Sequence, residues 1–289
     1  MSRTVTRDRF PGGTRIGDYV VERELRSDGP YIVYVARHVV LPRQAALKVM
    51  HGDQGYLKEM AVHMLREACL VEALSHPGIP RVYECGVLPD RRPWTAFEHV
   101  EGEPLDRLIG DVPLPVADVV VLIRDVADIL DHIHQRGIAH RNVTAASIIR
   151  ASQRRFPVTL THWSDACTLD TAHTEVDPND DVHELGRIAF RALTGEVAAT
   201  GGSSTERYPG APGDVATLID AMMAGRGARP SSAEVRERAK WLAGAMELLP
   251  IEPRRWTPQT IAPEKLPADV EQVDEGFSIR ISGRTRTRG

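Results

Sequence analysis

No stretch of the chain reaches the roughly 18 consecutive apolar residues that a membrane-spanning helix needs. The nearest candidate, 116–130, is interrupted by Asp118, Arg124, Asp125 and Asp128, so no membrane span is expected. Arg3, Arg7, Arg9 and Arg15 near the N-terminus are not followed by an apolar run, so no secretory signal is expected. Cysteine is scarce: Cys69, Cys85 and Cys167 are odd in number and widely separated. That spacing offers neither a zinc-ligand pattern nor a disulfide framework and suits a reducing compartment. The expected location is therefore cytoplasmic. An excess of positive charge is also missing, with Lys+Arg 36 against Asp+Glu 40 and a net charge of -4. Nucleic acid is not an expected partner on that balance. No internal repeat is visible.

What the chain does have is a core: 42% hydrophobic and 26% charged residues over 289 positions, enough for one two-lobed domain. The first hundred residues favour strands. Segments 19–25 and 31–37 are rich in Val, Tyr and Ile around a Ser-Asp-Gly-Pro turn, which predicts a hairpin. Strands are also expected at 44–50, 81–85 and 94–98, with an amphipathic helix over 56–74 between the first two. After Gly102 the pattern turns helical. Helices are expected at 116–135, stopped by Gly137, and at 182–193, with Asp180 or Asp181 as N-cap. Two more are expected at 215–223 and 233–247, the last capped by Ser231 or Ser232. The expected organisation is α+β and two-lobed: a flexible basic arm over 1–17, a domain over 18–248 with lobes 18–99 and 100–248, and a tail over 249–289. The tail carries Pro250, Pro253, Pro258, Pro263 and Pro267, then Arg280, Arg284, Arg286 and Arg288 among Ser and Thr, and is expected to be disordered.

Several segments, in this order, resemble the protein kinase family, and the bacterial serine/threonine kinases in particular. Ala45-Ala-Leu-Lys48 is similar to the V-A-I-K strand, and Leu65-Arg-Glu-Ala68 lies on the next helix, where the family places the glutamate that pairs with that lysine. The stretch from Ser75 to Tyr83, the hinge-like Phe97-Glu-His-Val-Glu-Gly102, and Ile133 to Asn142 continue the register. Asp181 to Gly186 and Arg229 to Val235 complete it. The resemblance implies the kinase fold, a small β-rich lobe and a larger helical lobe. It also implies a shortened activation segment, since Asp181 stands only 19 residues after His162 and no A-P-E follows.

The same register locates substitutions at the positions that do the chemistry. Kinases position ATP, hold two magnesium ions and use an Asp to take the hydroxyl proton. Where the family reads H-R-D, this chain reads His140-Arg141-Asn142, and an amide is no base near neutral pH. Thr144 replaces the phosphate-steadying lysine. Ser147 and His162 stand where the magnesium ligands belong, and imidazole suits zinc better than magnesium. Asp165 follows three positions after His162, but continued strand alternation would point it elsewhere. The glycines of the phosphate loop are Arg26, Asp28 and Tyr31, with Gly29 and Pro30 beside them.

The nucleotide-pocket remnants by this resemblance are Val33, Ala46, Lys48, Glu67, Phe97 and Glu98, with Lys48 and Glu67 forming an ion pair. His140, Arg141, Trp163, Asp181 and Arg229 have structural roles: Asp181 supports the 140–141 loop, and Arg229 has no evident partner beyond Glu175. His132 and His134 are expected on an exposed helix end. The expectation is then a catalytically inactive pseudokinase, a regulatory or scaffolding module and not an enzyme. It needs no metal and no cofactor, and takes ATP weakly and without magnesium if at all. The expected partner is another protein, an active kinase or a phosphothreonine-binding protein being the candidates. The alternative left open is an ATP-binding kinase-like enzyme with non-standard catalytic residues.

Overall fold

The structure, a computed structural model, describes residues 9–52, 57–110, 112–171, 176–197, 210–246 and 277–279. Its chain falls into two compact units, one of 1–75, 80–100 and 257–289, the other of 76–79 and 101–256. The first is built on a seven-stranded antiparallel sheet. In chain order its strands are β1 (Arg15–Ile16), β2 (Tyr19–Asp28), β3 (Tyr31–His38), β4 (Gln44–Met50), β5 (Val82–Val87) and β6 (Pro93–Glu98), and their spatial order is β1-β2-β3-β4-β6-β5. β3 is buried on both faces along Tyr31–Ala36, which explains its unbroken apolar run. One helix, α1 (Leu57–Glu72), packs on β5 and β6. Gly86 of β5 takes no side chain because Trp94 lies against it; a Cβ there would sit 2.5 Å from the indole.

Two expectations about the ends give way here. The arm over 1–17 is structured from residue 9, because Phe10 and Ile16 bury against the sheet and the Phe10 N–H donates to the Tyr34 hydroxyl at 3.0 Å. The disordered tail over 249–289 gives way at Phe277–Ile279, a strand that pairs antiparallel with β5 at the sheet's edge. The rest of the tail lies outside the described residues, as do 1–8.

The second unit is helical. It comprises β7 (Glu103–Pro104), α2 (Leu105–Leu108), α3 (Val116–His134), β8 (Ile138–Ala139), β9 (Ile148–Arg150), β10 (Val158–Leu160), β11 (Cys167–Thr168), α4 (Asn179–Thr194), α5 (Gly213–Met222) and α6 (Ser232–Ala245). The edge strand that closes the first sheet is β12 (Phe277–Ile279). α3 has no exposed position along its length, because α4 and α6 both pack on it. Its Ile123, Ile129, Leu130 and Ile133 are fully buried, each worth about 1.5–3 kcal/mol. Ser231 caps α6 in a reciprocal capping box with Glu234. α4 begins a turn earlier than expected: Pro178 is its N-cap, and Asp180 and Asp181 lie inside the first turn, where their carboxylates turn outward to other partners. Among the described residues no helix is long and apolar enough to cross a membrane.

Candidate active site

In the sheet unit, Lys48 leaves β4 beside Val33, its cross-strand partner on β3. Its Nζ donates to Glu67 Oε2 at 2.7 Å, and both side chains are almost wholly buried, at 5% and 7% exposure. The Tyr31 ring lies 4.1 Å from the Lys48 Nζ. Tyr31 stands where the family resemblance puts the last loop glycine. Burying it with Met50 and Met64 makes it a lid on the lysine rather than an obstacle in the phosphate loop. Ala46 and Phe97 are cross-strand partners, and the Glu98 carboxylate accepts the Arg81 N–H at 3.2 Å.

In the helical unit, Asp181 organises the loop after β8. Its Oδ2 accepts the His140 N–H at 2.8 Å and its Oδ1 the Arg141 N–H at 2.7 Å. His134 Nε2 lies 3.0 Å from the same carboxylate and its Nδ1 2.9 Å from the Ser232 hydroxyl. His134 is therefore partly buried and bonded on both nitrogens, not part of an exposed helix end. Arg141 adopts a left-handed φ of 63°, a conformation an L side chain holds only when its surroundings fix it.

His140 is wholly enclosed. Its Nε2 meets the Thr161 carbonyl at 3.1 Å and must donate to it, so Nδ1 is the acceptor for the Asn142 N–H at 3.2 Å. The neutral ring satisfies both partners, and a proton on Nδ1 would confront an N–H. The Trp163 indole packs edge-on against this ring at 4.5 Å and donates to the Leu160 carbonyl at 2.9 Å. Burial, outweighing the nearby Asp181 and Asp165 carboxylates and reinforced by His134, pushes the His140 imidazole down to about 4. The sign follows: between that value and the unfolded one near 6.5, only the unfolded chain takes the proton. Stability conferred by neutral His140 is full above about pH 6.5 and is lost as pH falls towards 4. Urea unfolding is expected to show a plateau from this residue above about pH 6.5 and a loss of about 1.4 kcal/mol per pH unit between about pH 6.5 and 4.5, and His140→Gln is expected to flatten that slope.

The substituted positions are now placed. Thr144 and Ser147 bond to each other: the Thr144 N–H donates to Ser147 Oγ at 2.9 Å, and Ser147 Oγ donates to the Thr144 carbonyl at 2.9 Å. Ser147 is fully buried by this, so its hydroxyl is spent within the loop and does not fit a metal. His162 takes a left-handed φ of 66° and starts a 3₁₀ turn, Trp163–Asp165. The strand therefore stops before Asp165, and the alternation that would have aimed it away does not apply. The turn carries Asp165 back to the catalytic-loop position, where its Oδ2 accepts Asn142 Nδ2 at 2.8 Å.

Arg229 also has a partner. Its guanidinium bonds Asp180 and donates to the Ala224 carbonyl at 2.7 Å, while Arg226 grips the same carboxylate. Burial opposes the effect, but these two arginines hold the Asp180 carboxyl below its ordinary range. Glu175 lies outside the described residues. Adjacent aspartates thus divide the work, Asp181 holding the 140–142 loop and Asp180 the 226–229 loop. An open pocket of about 450 Å³ lies against this region, lined in part by Arg141, Asn142, Val143, Asp177, His183 and Glu184. The signal that sequence reasoning missed was the pair of aspartates itself, two charges where one N-cap would suffice.

A lysine–glutamate pair on a β-sheet unit, and a backbone-gripped loop in a helical unit, are features of the kinase fold. Residues 35–164 match the family described as protein tyrosine and serine/threonine kinase. The chain is 30% identical over 214 residues to the serine/threonine-protein kinase PknJ of Mycobacterium tuberculosis, covering 66% of this chain and 36% of that one. It is 32% identical over 210 residues to PknF of the same organism, covering 63% and 44%. The chain therefore spans well under half the length of these relatives. A point mutant of the PknI kinase domain of Mycobacterium tuberculosis superimposes with a TM-score of 0.65 at 25% identity, covering 82% of this chain and 99% of that one. This chain carries a domain of the protein kinase family.

Those relatives overturn two expectations. They are named serine/threonine-protein kinases, so the reading of the chain as a non-enzyme is withdrawn. The reading that it needs no cofactor, or takes ATP without magnesium, falls with it, because kinase chemistry uses ATP and a divalent cation. Judged by position alone, no carboxylate stands at the catalytic-loop positions, whereas the fold brings Asp165 within 2.8 Å of the Asn142 amide.

Proposed function

We propose that the domain is an ATP-dependent serine/threonine kinase-type enzyme with non-standard catalytic residues, in which Asp165 supplies the carboxylate that positions 142 and 162 lack. The observation that carries this reading is the 2.8 Å bond from Asn142 Nδ2 to Asp165 Oδ2. Magnesium in such enzymes is held by one or two carboxylates together with the nucleotide phosphates. Asp165 fits that requirement, being exposed, ionisable and oxygen-bearing. When bound, the cation would neutralise charge on the phosphates. Asn142 then acts behind the ligand, fixing the carboxylate's orientation by its amide N–H. Lys48, held straight by Glu67, supplies a buried positive charge for a phosphate oxygen. Position 142 has lost the carboxylate that would take the hydroxyl's proton, which passes instead to an oxygen of the transferred phosphoryl group as its bond to the leaving ADP breaks. That loss is tolerable because phosphoryl transfer depends mainly on positioning and electrostatics. The substrates proposed are hydroxyl-bearing side chains of proteins.

Transfer of labelled phosphate from ATP, with magnesium or manganese, to the chain itself or a generic protein substrate tests this reading. Asp165→Asn is expected to lower transfer by about 10²–10³-fold without altering the fold, since the residue is exposed. A wild-type rate no higher than that of Lys48→Met would refute the enzyme reading. An unchanged rate in Asp165→Asn would refute the role of Asp165.

A further inference from the structure

Without β12 the sheet would end on β5, whose sequence Val-Tyr-Glu-Cys-Gly-Val has neither the lysine nor the proline that usually blunts an exposed edge. β12 fills that edge in antiparallel register, Phe277 opposite Val87, Ser278 opposite Gly86 and Ile279 opposite Cys85. The segment was legible as a strand: Phe277, Ile279 and Ile281 alternate with Ser278, Arg280 and Ser282, the period of a half-buried strand. The prolines upstream concealed it. At Gly86 the space of a side chain is already occupied by Trp94.

The β5 strand also touches the helix that holds the lysine's partner. β5 and its neighbour β6 both pack on α1, and α1 carries the Glu67 that holds Lys48. We propose that the outer edge of β5 is a strand-addition dock for the chain's own C-terminal segment around Phe277–Ile279. Its occupancy steadies the packing of α1 on the sheet and so keeps Glu67 on Lys48. The nucleotide consequence rests on the kinase reading above; the docking itself does not. Main-chain hydrogen bonds supply the affinity in such additions, and alternate side chains the selectivity.

Hydrogen–deuterium exchange on the full chain separates the two. In an antiparallel pair, alternate residues point their N–H groups at the partner. At least one of Ser278→Pro and Ile279→Pro therefore removes a ladder bond. The expected result is exchange of the 85–87 amides at least about tenfold faster in one of these variants, with faster exchange in α1 as well. A synthetic peptide of residues 273–283 should restore the slow exchange, and a scrambled one should not. Unchanged exchange at 85–87 in both variants, or equal rescue by the scrambled peptide, would overturn the dock. Protection in the wild type that weakens on dilution would mean that a second copy donates the strand, and would overturn the assignment to the chain's own tail. ATP affinity is expected to fall several-fold in the same variant. Slow exchange lost with ATP affinity unchanged would refute the link to Glu67. A wild-type chain that binds no ATP would refute the kinase reading and leave the exchange result standing.

Discussion

Glu67→Ala is expected to destabilise the sheet unit by about 3 kcal/mol, among the largest effects of any single substitution in this chain. Lys48 and Glu67 are both buried and lie 2.7 Å apart. Removing the carboxylate strands an ammonium in a site where water cannot replace it. The lower end of the range for broken buried pairs, about 3–5 kcal/mol, is the apt one because the Tyr31 ring stays over the Lys48 Nζ. Lys48→Met strands the carboxylate instead, without an aromatic face to ease it, and should cost at least as much. The double variant Lys48→Met/Glu67→Leu removes both charges and should recover most of the loss, since apolar replacements of buried pairs are often neutral or better. Urea unfolding of the four proteins measures this. Single-variant losses below about 1 kcal/mol would mean that the pair is far better solvated than its burial indicates. Both single variants should lack transfer activity, but only the double variant separates that loss from unfolding.

Much of this architecture was written in periodicity. The unbroken apolar run of β3, the recurring apolar positions of α3 and the Ser231 cap are local patterns, and each fixes an element without reference to the rest of the chain. Lys48 with Glu67 was legible for another reason: a lysine at a strand end and a glutamate on the next helix are brought together by one connection. Asp165 was not legible, because its position depends on the left-handed backbone of His162, and no residue type at 162 announces that conformation. Extending the strand by alternation gave the wrong direction for Asp165. Arg229 and His134 were hidden similarly. Their partners Asp180 and Asp181 lie 49 and 47 residues away, and only the packing of α3, α4 and α6 brings them near. Tyr31 was misread because a missing glycine was counted as a loss, when the ring supplies a surface that stacks on the lysine. β12 was missed because composition was averaged over the whole tail, and its proline content outweighed six alternating residues.

Asp181→Ala should be the most damaging change in the helical unit. The buried carboxylate accepts two backbone N–H groups, those of His140 and Arg141, and meets His134 Nε2 at 3.0 Å. Alanine leaves the His140 N–H without a partner in a buried space and the Arg141 N–H in a partly buried one. An unsatisfied buried donor costs about 1–3 kcal/mol and a partly buried one less, so the expected loss is about 2–4 kcal/mol. Arg141 adds to the consequence. Its left-handed conformation is held by the N–H bond to Asp181 Oδ1, and once that bond is gone the residue can relax into an ordinary region. Relaxation at Arg141 moves Asn142, the next residue, and with it the amide that orients Asp165. Loss of stability and loss of transfer should therefore appear together, with faster amide exchange over 138–142 as the structural sign. Asp181→Asn distinguishes the causes, because the amide keeps one acceptor oxygen but offers an N–H to a donor. It should lose less stability than alanine and still exchange faster than the wild type. An alanine variant within about 0.5 kcal/mol of the wild type would mean that the loop is held by its own Thr144–Ser147 bonds. In that case the geometry around Asn142 and Asp165 would stand without Asp181.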